Sequence, residues 1–574
     1  MTQSPLGRPV RRNEDPRLLT GSALFIDDIE LAGMAHAAFV RSPYAHARLG
    51  AIDVAEAAAM DGVIAVVTAD DLGDYWQPGP LLVHPPPVEG AVFNERTQVP
   101  LVKGKVRHLG EAVAVVVAES RALAEDAAER VQVDYQPLPA VVDIERALDD
   151  GASLVHDDVG SNVAAHIVQT KGDYASVTED AAVVVRRRLV YDRGASAAIE
   201  NRGVVAEWDA RAGRMTIWDT TQAPIPIRGG LAAMLGLNES QVRVVAPFVG
   251  GGFGPKIMMF YPEEVVVPWL AREVGRPVKW IEDRSENFVA TTQERGQIHD
   301  AELSLTADGR ILGLKDFFLH DSGAFDSYGL TVPLNSQCTA LGPYDIPTYE
   351  SEFKAVFTNK ITVTPYRGAG RQHGVFVIER LLDFAADEIG ISRTEIRRRN
   401  FLAPDAFPHD HEILYQDFAP LYYDSGNYEP ILDKALEMID YDSFVETEQP
   451  RLRAEGRHVG IGVVAYVEGT GIGPYEGARV QVHSDGKISV ATGVGTQGQG
   501  HFTVLAQIAA AQLGVPVEDI HVVTGDTDQF HWGSGTFASR GAVVAGNAVH
   551  AAAKEVREKA LAIGARTLGV EAEA

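Results

Sequence analysis

Residues 112–118, Ala-Val-Ala-Val-Val-Val-Ala, are apolar at every position, which predicts a strand buried on both faces. Residues 33–40 and 63–67 carry weaker strand-like patterns. From Ser120 to about Val131 the period changes. Leu123, Ala127 and Val131 recur every four residues, and a helix is expected. Further along, residues 242–246 predict a strand and about 258–274 a helix. Residues 374–389 predict a second long helix, with Ile378, Leu381, Leu382, Ala385 and Ile389 on one stripe and Gly390 as its stop. Helices ending at Gly236 and Gly514 each lie six residues before an apolar strand, which opens at Val242 in one case and Ile520 in the other.

These elements alternate, so a mixed α/β (α+β) fold in several parts is expected. Residues 1–150 read as a separate α+β domain, with a surface loop marked by Pro78, Pro80, Pro85, Pro86 and Pro87. His108 and Glu111, beside Gly110, read there as turn residues rather than ligands. Residues 160–405 form a second region, 406–439 a linker, and 440–574 a third region. The linker is rich in Pro, Asp, His and Tyr, so His409 and His411 are expected in a solvated loop rather than on a metal.

Composition narrows the function. The chain has 574 residues and a net charge of −28, which argues against nucleic-acid binding through a basic face. Cys338 is the single cysteine, which excludes a disulfide framework, a cysteine-ligated zinc and any iron–sulfur cluster carried by this chain alone. No apolar run reaches the length of a membrane helix. Arg11-Arg12 is followed by Asn13, Glu14, Asp15 and Pro16 where an export signal would be apolar, so the cytoplasm is expected.

Two glycine runs carry the candidate chemistry. The first is Phe248-Val-Gly-Gly-Gly-Phe-Gly-Pro-Lys256, with a strand before it and a helix expected directly after it. Its glycines remove side chains where backbone N–H groups face something polar, and the dipole of the following helix would favour an anion. The second is Gly493-Val-Gly-Thr-Gln-Gly-Gln-Gly-His501. The same fourteen-residue offset separates Gln222 from Gly236 and Gly500 from Gly514, which suggests two related half-domains facing one ligand. Gly493-Val-Gly-Thr-Gln-Gly498 also fits a dinucleotide fingerprint. The acidic residue that fingerprint needs about twenty positions on has only Asp526 as a candidate, twenty-eight residues after Gly498. Gln497 and Gln499 suit a heteroaromatic ligand better than a tight turn under a pyrophosphate.

Taken with Gln222, Tyr366-Arg-Gly-Ala-Gly-Arg371 and Gly535-Thr-Phe-Ala-Ser-Arg540, these runs resemble the large, molybdopterin-binding subunit of the xanthine oxidase family of molybdenum hydroxylases, in its carbon-monoxide-dehydrogenase-like branch. The resemblance covers essentially the whole chain. It implies an N-terminal α/β hammerhead domain and two molybdopterin-binding domains, the second incomplete. It also implies hydroxylation of an N-heterocycle or aldehyde with water-derived oxygen. Gln222 and Arg367 correspond to catalytic positions: the glutamine bonds a molybdenum oxygen ligand, and the arginine stabilises negative charge near the substrate. Gly252, Phe253, Gly254 and Gly368 correspond to loops beside the metal. Gln497, Gly498, Gln499, Gly500 and His501 correspond to pterin and phosphate contacts, and Thr536, Phe537, Ala538, Ser539 and Arg540 to a second cofactor loop. The implied cofactor is the molybdenum cofactor, held through its own dithiolene, with the cytosine dinucleotide as one candidate form. Iron–sulfur clusters and FAD are expected on a small and a medium partner subunit.

Three departures from the family pattern shape the expected chemistry. Carbon monoxide oxidisers carry a copper-binding cysteine where this chain has Gly368, and purine hydroxylators carry a glutamate where it has Ile257. The Gly-Val-Gly-Glu-like motif that bears the family's general base is not found. Glu263, Glu264, Asp526 and Asp528 are the carboxylates nearest the motifs, the first two read as helix-face residues and the others as turn-shaping ones. Either the chain is a natural half completed by a second polypeptide that supplies the base, or it is a truncated product; the complementing polypeptide is expected. The alternatives are a scaffold subunit without turnover, or a dinucleotide-dependent dehydrogenase.

Overall fold

The computed structural model describes residues 4–571 apart from 86, 258 and 259. Pro86, the expected helix start at Met258 and the last three residues of the charged tail lie outside the described residues.

The first sheet has seven strands. They are β1 (Ala35–Arg41), β2 (Val63–Thr68), β3 (Ala112–Ala118), β4 (Gly203–Asp209), β5 (Arg214–Asp219), β6 (Val242–Val245) and β7 (Val278–Ile281), in the spatial order β6-β5-β4-β7-β1-β3-β2. β3 is buried along its whole length, as its unbroken apolar run requires. The expected separateness of residues 1–150 does not extend to hydrogen bonding. β7 runs parallel to β1, pairing Val278 with Ala35 and Lys279 with His36, and antiparallel to β4 on its other side. One core therefore underlies both regions, with Phe39 edge-on to Trp280 inside it.

Among the helices that pack on this sheet are Arg121–Ala128, which answers the period predicted from Ser120, α1 (Pro224–Leu235) and α2 (Pro262–Val274). α2 starts later than the hydrophobic pattern predicts. Phe260 sits at φ 50, which no right-handed helix continues through, and Pro262 supplies the fixed φ of a first helical turn. The first glycine run therefore ends in turns, not at a helix N-terminus.

The second sheet has six strands from residues 92–357, in which Ile311–Gly323 is central and lies between Glu294–Leu305 and Thr348–Phe357. Against it packs α3 (Arg371–Ile389), which starts three residues before Gly374 and is closed by Gly390 in the left-handed conformation. Residues 406–439 are not a solvated loop. His409–Leu414 and Pro420–Tyr423 pair as a hairpin whose Ile413 and Leu421 join the core under α3, and a helix follows at Glu429–Met438. His411 is buried edge-on against Tyr423, and burial pushes its pKa down to about 3. Among the described residues no cluster of three His, Cys, Asp or Glu side chains forms a metal site. His108 and Glu111 do sit at a turn, where Glu111 accepts the Arg107 N–H at 2.6 Å.

The third sheet is small: β8 (Ala478–Val482), β9 (Ile488–Thr492) and β10 (Ile520–Val523), packed against α4 (His501–Leu513) and α5 (Gly546–Leu568). β9 and β10 are parallel neighbours joined by α4, as β5 and β6 are by α1. Gly236 and Gly514 end the two helices at φ 66 and 74. The matching offsets thus reflect two strand–helix–strand units, but the two glycine runs are not each other's counterparts. The second run follows β9 and corresponds to the Thr220–Ala223 turn after β5. The first follows β6, and its counterpart after β10 is Thr524–Asp528. The units meet there: the Ala246 N–H donates to Gly525 at 2.7 Å and the Thr527 N–H to Val244 at 3.1 Å.

Candidate active site

The units enclose a cavity of about 910 Å³. Of the site residues named from the sequence, all except Gly500 line it. Gly500 sits immediately behind, at φ 82, as the N-cap of α4.

Gln222 is the hub. Its side-chain carbonyl accepts the Gly254 N–H at 2.9 Å and its amide donates to the Thr536 carbonyl at 2.8 Å. Its backbone N–H bonds Lys256 at 2.7 Å, and its backbone carbonyl accepts from Thr536 at 3.0 Å. One side chain thus ties the first glycine run to the loop 536–540. A primary amide has two donors, so one side-chain N–H remains for a ligand. Gly254 takes φ 124, and a Cβ there would collide with the Pro365 carbonyl, so only glycine lets the two loops touch. Arg367 anchors its backbone N–H on Phe253 at 2.8 Å. Its guanidinium makes no hydrogen bond or ion pair among the described residues and lines the cavity.

Backbone strain concentrates here. Of the ten non-glycine residues with positive φ among the described residues, four line the cavity: Phe253, Ala369, Ala538 and Ser539. Each costs about 1–3 kcal/mol unless the surroundings enforce it, and such residues gather at ligand sites.

The first run's backbone groups do not wait for an external anion. The Gly250 N–H is taken by the Glu200 carboxylate at 2.6 Å, and Lys256 pairs with the same carboxylate at 3.4 Å. Burial pulls the Lys256 ammonium down to about 8 despite that partner. The second run holds the free donors. Gln499 donates to Gln497 at 2.8 Å and accepts the Gln497 backbone N–H at 2.7 Å, which leaves the Gln497 side-chain NH₂ buried with no partner. Arg540 is fully buried. It spends one nitrogen on Glu476 at 2.5 Å and another on Tyr475 at 2.8 Å, leaving Nε unpaired. Gln416 Oε1 is a third unpartnered buried atom on the cavity wall. Such atoms are costly unless a ligand satisfies them. A polar, multiply hydrogen-bonding cofactor fits these walls.

None of Glu263, Glu264, Asp526 and Asp528 lines the cavity. Glu263 is locked between Arg202 at 2.6 Å and Arg41 at 2.5 Å, while Asp526 is paired with Arg243 at 2.7 Å. That pairing also removes Asp526 from the ribose role of a dinucleotide site. Among the described residues the carboxylate that does line the cavity is Glu468, 3.8 Å from Arg371, with its pKa raised by burial. Sequence reasoning passed over it, although it opens a third glycine run, Glu468-Gly-Thr-Gly-Ile-Gly473. Arg371 donates at 3.0 Å to the hydroxyl of Tyr415, a residue between the two strands of the 409–423 hairpin.

Models of three families cover the chain. The α/β hammerhead domain of aldehyde oxidase and xanthine dehydrogenase matches residues 20–139, and two molybdopterin cofactor-binding domains match residues 155–401 and 434–574. The gamma subunit of the 6-hydroxypseudooxynicotine dehydrogenase complex of Paenarthrobacter nicotinovorans is 38% identical over 99% of this chain and 70% of its own length. The chain belongs to the molybdopterin-binding large subunits of the xanthine oxidase family. The carbon monoxide dehydrogenase large chain of Hydrogenophaga pseudoflava is 36% identical over 97% of this chain and 71% of its own. Quinoline 2-oxidoreductase from Pseudomonas putida 86 superposes with a TM-score of 0.91 at 37% identity, over 99% of this chain and 72% of its own. As a member of the xanthine oxidase family, the chain is the molybdenum-cofactor-binding subunit of an oxidoreductase, which displaces the dinucleotide-dependent and scaffold readings. Among the described residues no helix is long and apolar enough to cross a membrane.

Proposed function

We propose that this chain seats the molybdenum cofactor in the 910 Å³ cavity and hydroxylates an electron-poor carbon of a nitrogen heterocycle or an aldehyde beside it. The observation that carries the reading is the convergence of Gln222, the first glycine run, Arg367, the second glycine run and the loop 536–540 on one cavity. When bound, the cofactor supplies the redox centre that activates water and accepts the substrate's electrons. The chain's residues do the rest. The free Gln222 N–H, the Gln497 amide and the unpaired edge of Arg540 would hold the cofactor's polar atoms, and Arg367 would stabilise negative charge developing on the substrate. The quinoline of one relative's name is itself a nitrogen heterocycle, which favours that class over aldehydes.

Partner chains bearing iron–sulfur clusters and FAD carry the electrons away. Exposed apolar side chains such as Val464, Tyr466, Ile563 and Leu568 offer surface for partner chains to cover. The cytosine dinucleotide is the cofactor form we favour. The assembled complex should contain about one molybdenum per chain by metal analysis, and the isolated chain should show no flavin or iron–sulfur absorbance, as one cysteine requires. Stoichiometric iron retained by the isolated chain would sink the reading.

Gly368 makes a second prediction. It has no ligand atom for copper, it sits at φ 104, and a Cβ there would press on the Gln372 side chain. Carbon monoxide should leave the complex oxidised, whereas a nitrogen heterocycle should bleach its iron–sulfur bands. Bleaching by carbon monoxide would refute the role given to Gly368. Ile257, buried on the cavity wall, likewise offers no carboxylate to a purine.

A further inference from the structure

Residues 12–26 lie far from the cavity in sequence, line none of it, and touch both glycine runs from behind. Glu14 is buried and accepts the Thr503 hydroxyl at 2.5 Å, and the Asn13 N–H donates to the same hydroxyl at 2.8 Å, across 490 residues of sequence. Thr503 is in the first turn of α4, whose N-cap, Gly500, has no side chain to offer. Glu14 therefore supplies from outside the negative charge that a helix N-terminus favours. Arg12 donates to the Gly498 carbonyl at 3.3 Å, inside the second run.

Arg17 reaches the other run as well. Its guanidinium lies 4.9 Å from the ring centroid of Phe248, which opens the first run, and 5.1 Å from that of Phe502, which follows the second. The two rings are 5.5 Å apart, so one cation spans both. Beyond it, the Phe248 N–H donates to Leu24 at 3.0 Å and the Ile26 N–H to Glu200 at 3.4 Å. Glu200 is the carboxylate that holds Gly250.

We propose that Arg12, Glu14 and Arg17 form a positioning clamp that sets the separation of the two glycine runs, and through it how firmly the cofactor is held. The clamp rests on the reading that these runs hold the molybdenum cofactor. The Arg11-Arg12 pair thereby has a structural use through Arg12.

The test is molybdenum retention. The assembled complex is diluted and dialysed at a temperature well below its unfolding, and bound molybdenum per chain is followed with time. Arg17→Ala should release molybdenum about tenfold faster than wild type while kcat per bound molybdenum is unchanged. Arg17→Lys keeps a cation over the two rings and should restore most of the retention. Arg12→Ala, at a guanidinium 43% exposed, removes the hydrogen bonds to Gly498 and Glu14 and the ion pair with Asp15, and should accelerate release by about threefold, so the idea stays testable even where Arg17→Ala does not fold. Retention equal to wild type in Arg17→Ala, or in Arg12→Ala where the first variant is insoluble, overturns the clamp. So does release that simply tracks a lowered melting temperature. Wild-type complex that never binds molybdenum overturns the underlying function as well, which separates the two failures.

Discussion

Arg367→Ala should lower kcat by about 10²–10³ while molybdenum content stays at the wild-type level. The guanidinium faces the cavity and makes no other bond among the described residues, so nothing in the fold depends on its charge. Its structural duty is the backbone N–H to Phe253, which alanine keeps. A fixed cation in a water-poor site acts mostly where negative charge develops, so the loss belongs in kcat more than in KM. Molybdenum is measured in the same preparation. If the variant loses the metal, Arg367 holds the cofactor and the assignment to turnover fails.

Glu263→Ala should destabilise the fold by about 3 kcal/mol, because it takes from the buried Arg202 and the largely buried Arg41 one of the two carboxylates that neutralise each. Arg202, 2.6 Å away and immediately before β4, and Arg41, 2.5 Å away at the end of β1, share this one carboxylate, which is itself fully buried in α2. Arg202 also bonds Glu282 at 2.7 Å, and Arg41 bonds Glu286 at 2.6 Å, so the cluster ties the first region to the element that follows the first glycine run. Burial alone would push the Glu263 carboxyl up, but Arg202 and Arg41 outweigh it and hold it near 2, below its ordinary 4.5. A depressed carboxyl contributes stability above pH 4.5 and loses it as pH falls through the folded value. Wild type should therefore lose part of its thermal stability between pH 4.5 and about 2, and Glu263→Ala should lack that part of the acid transition. A melting temperature unchanged in the variant would show that the arginines find other partners.

The glycine runs were legible because they state a local requirement. Gly254 must approach the Pro365 carbonyl, and no other residue can do so. The strand-forming runs were legible for the same reason, since 112–118 has no polar face to show. The late start of α2 was not, because residues 258–261 continue the apolar pattern while Phe260 turns the backbone away. The hairpin at 409–423 was hidden by charged residues that point outward on alternate positions while His411 and Ile413 turn inward. Glu468 was missed since its partner Arg371 lies almost a hundred residues earlier, and an ion pair at that separation leaves no periodicity. The non-equivalence of the two glycine runs needed the strand pairings, because offsets alone match a turn to a glycine run as readily as a run to a run.

β7 has consequences for how the protein is made. Four residues long, it alone joins the two halves of the seven-stranded sheet, with β1 on one side and β4 on the other. Ribosomes add about 5–20 residues per second, so the opening residues of β1 wait about ten to fifty seconds for their neighbour to emerge. Pairing across so many residues closes slowly, and through that interval β1 presents an open edge to every other nascent copy. Yield at high expression should then be governed by the arrival of Val278–Ile281 rather than by the supply of molybdenum.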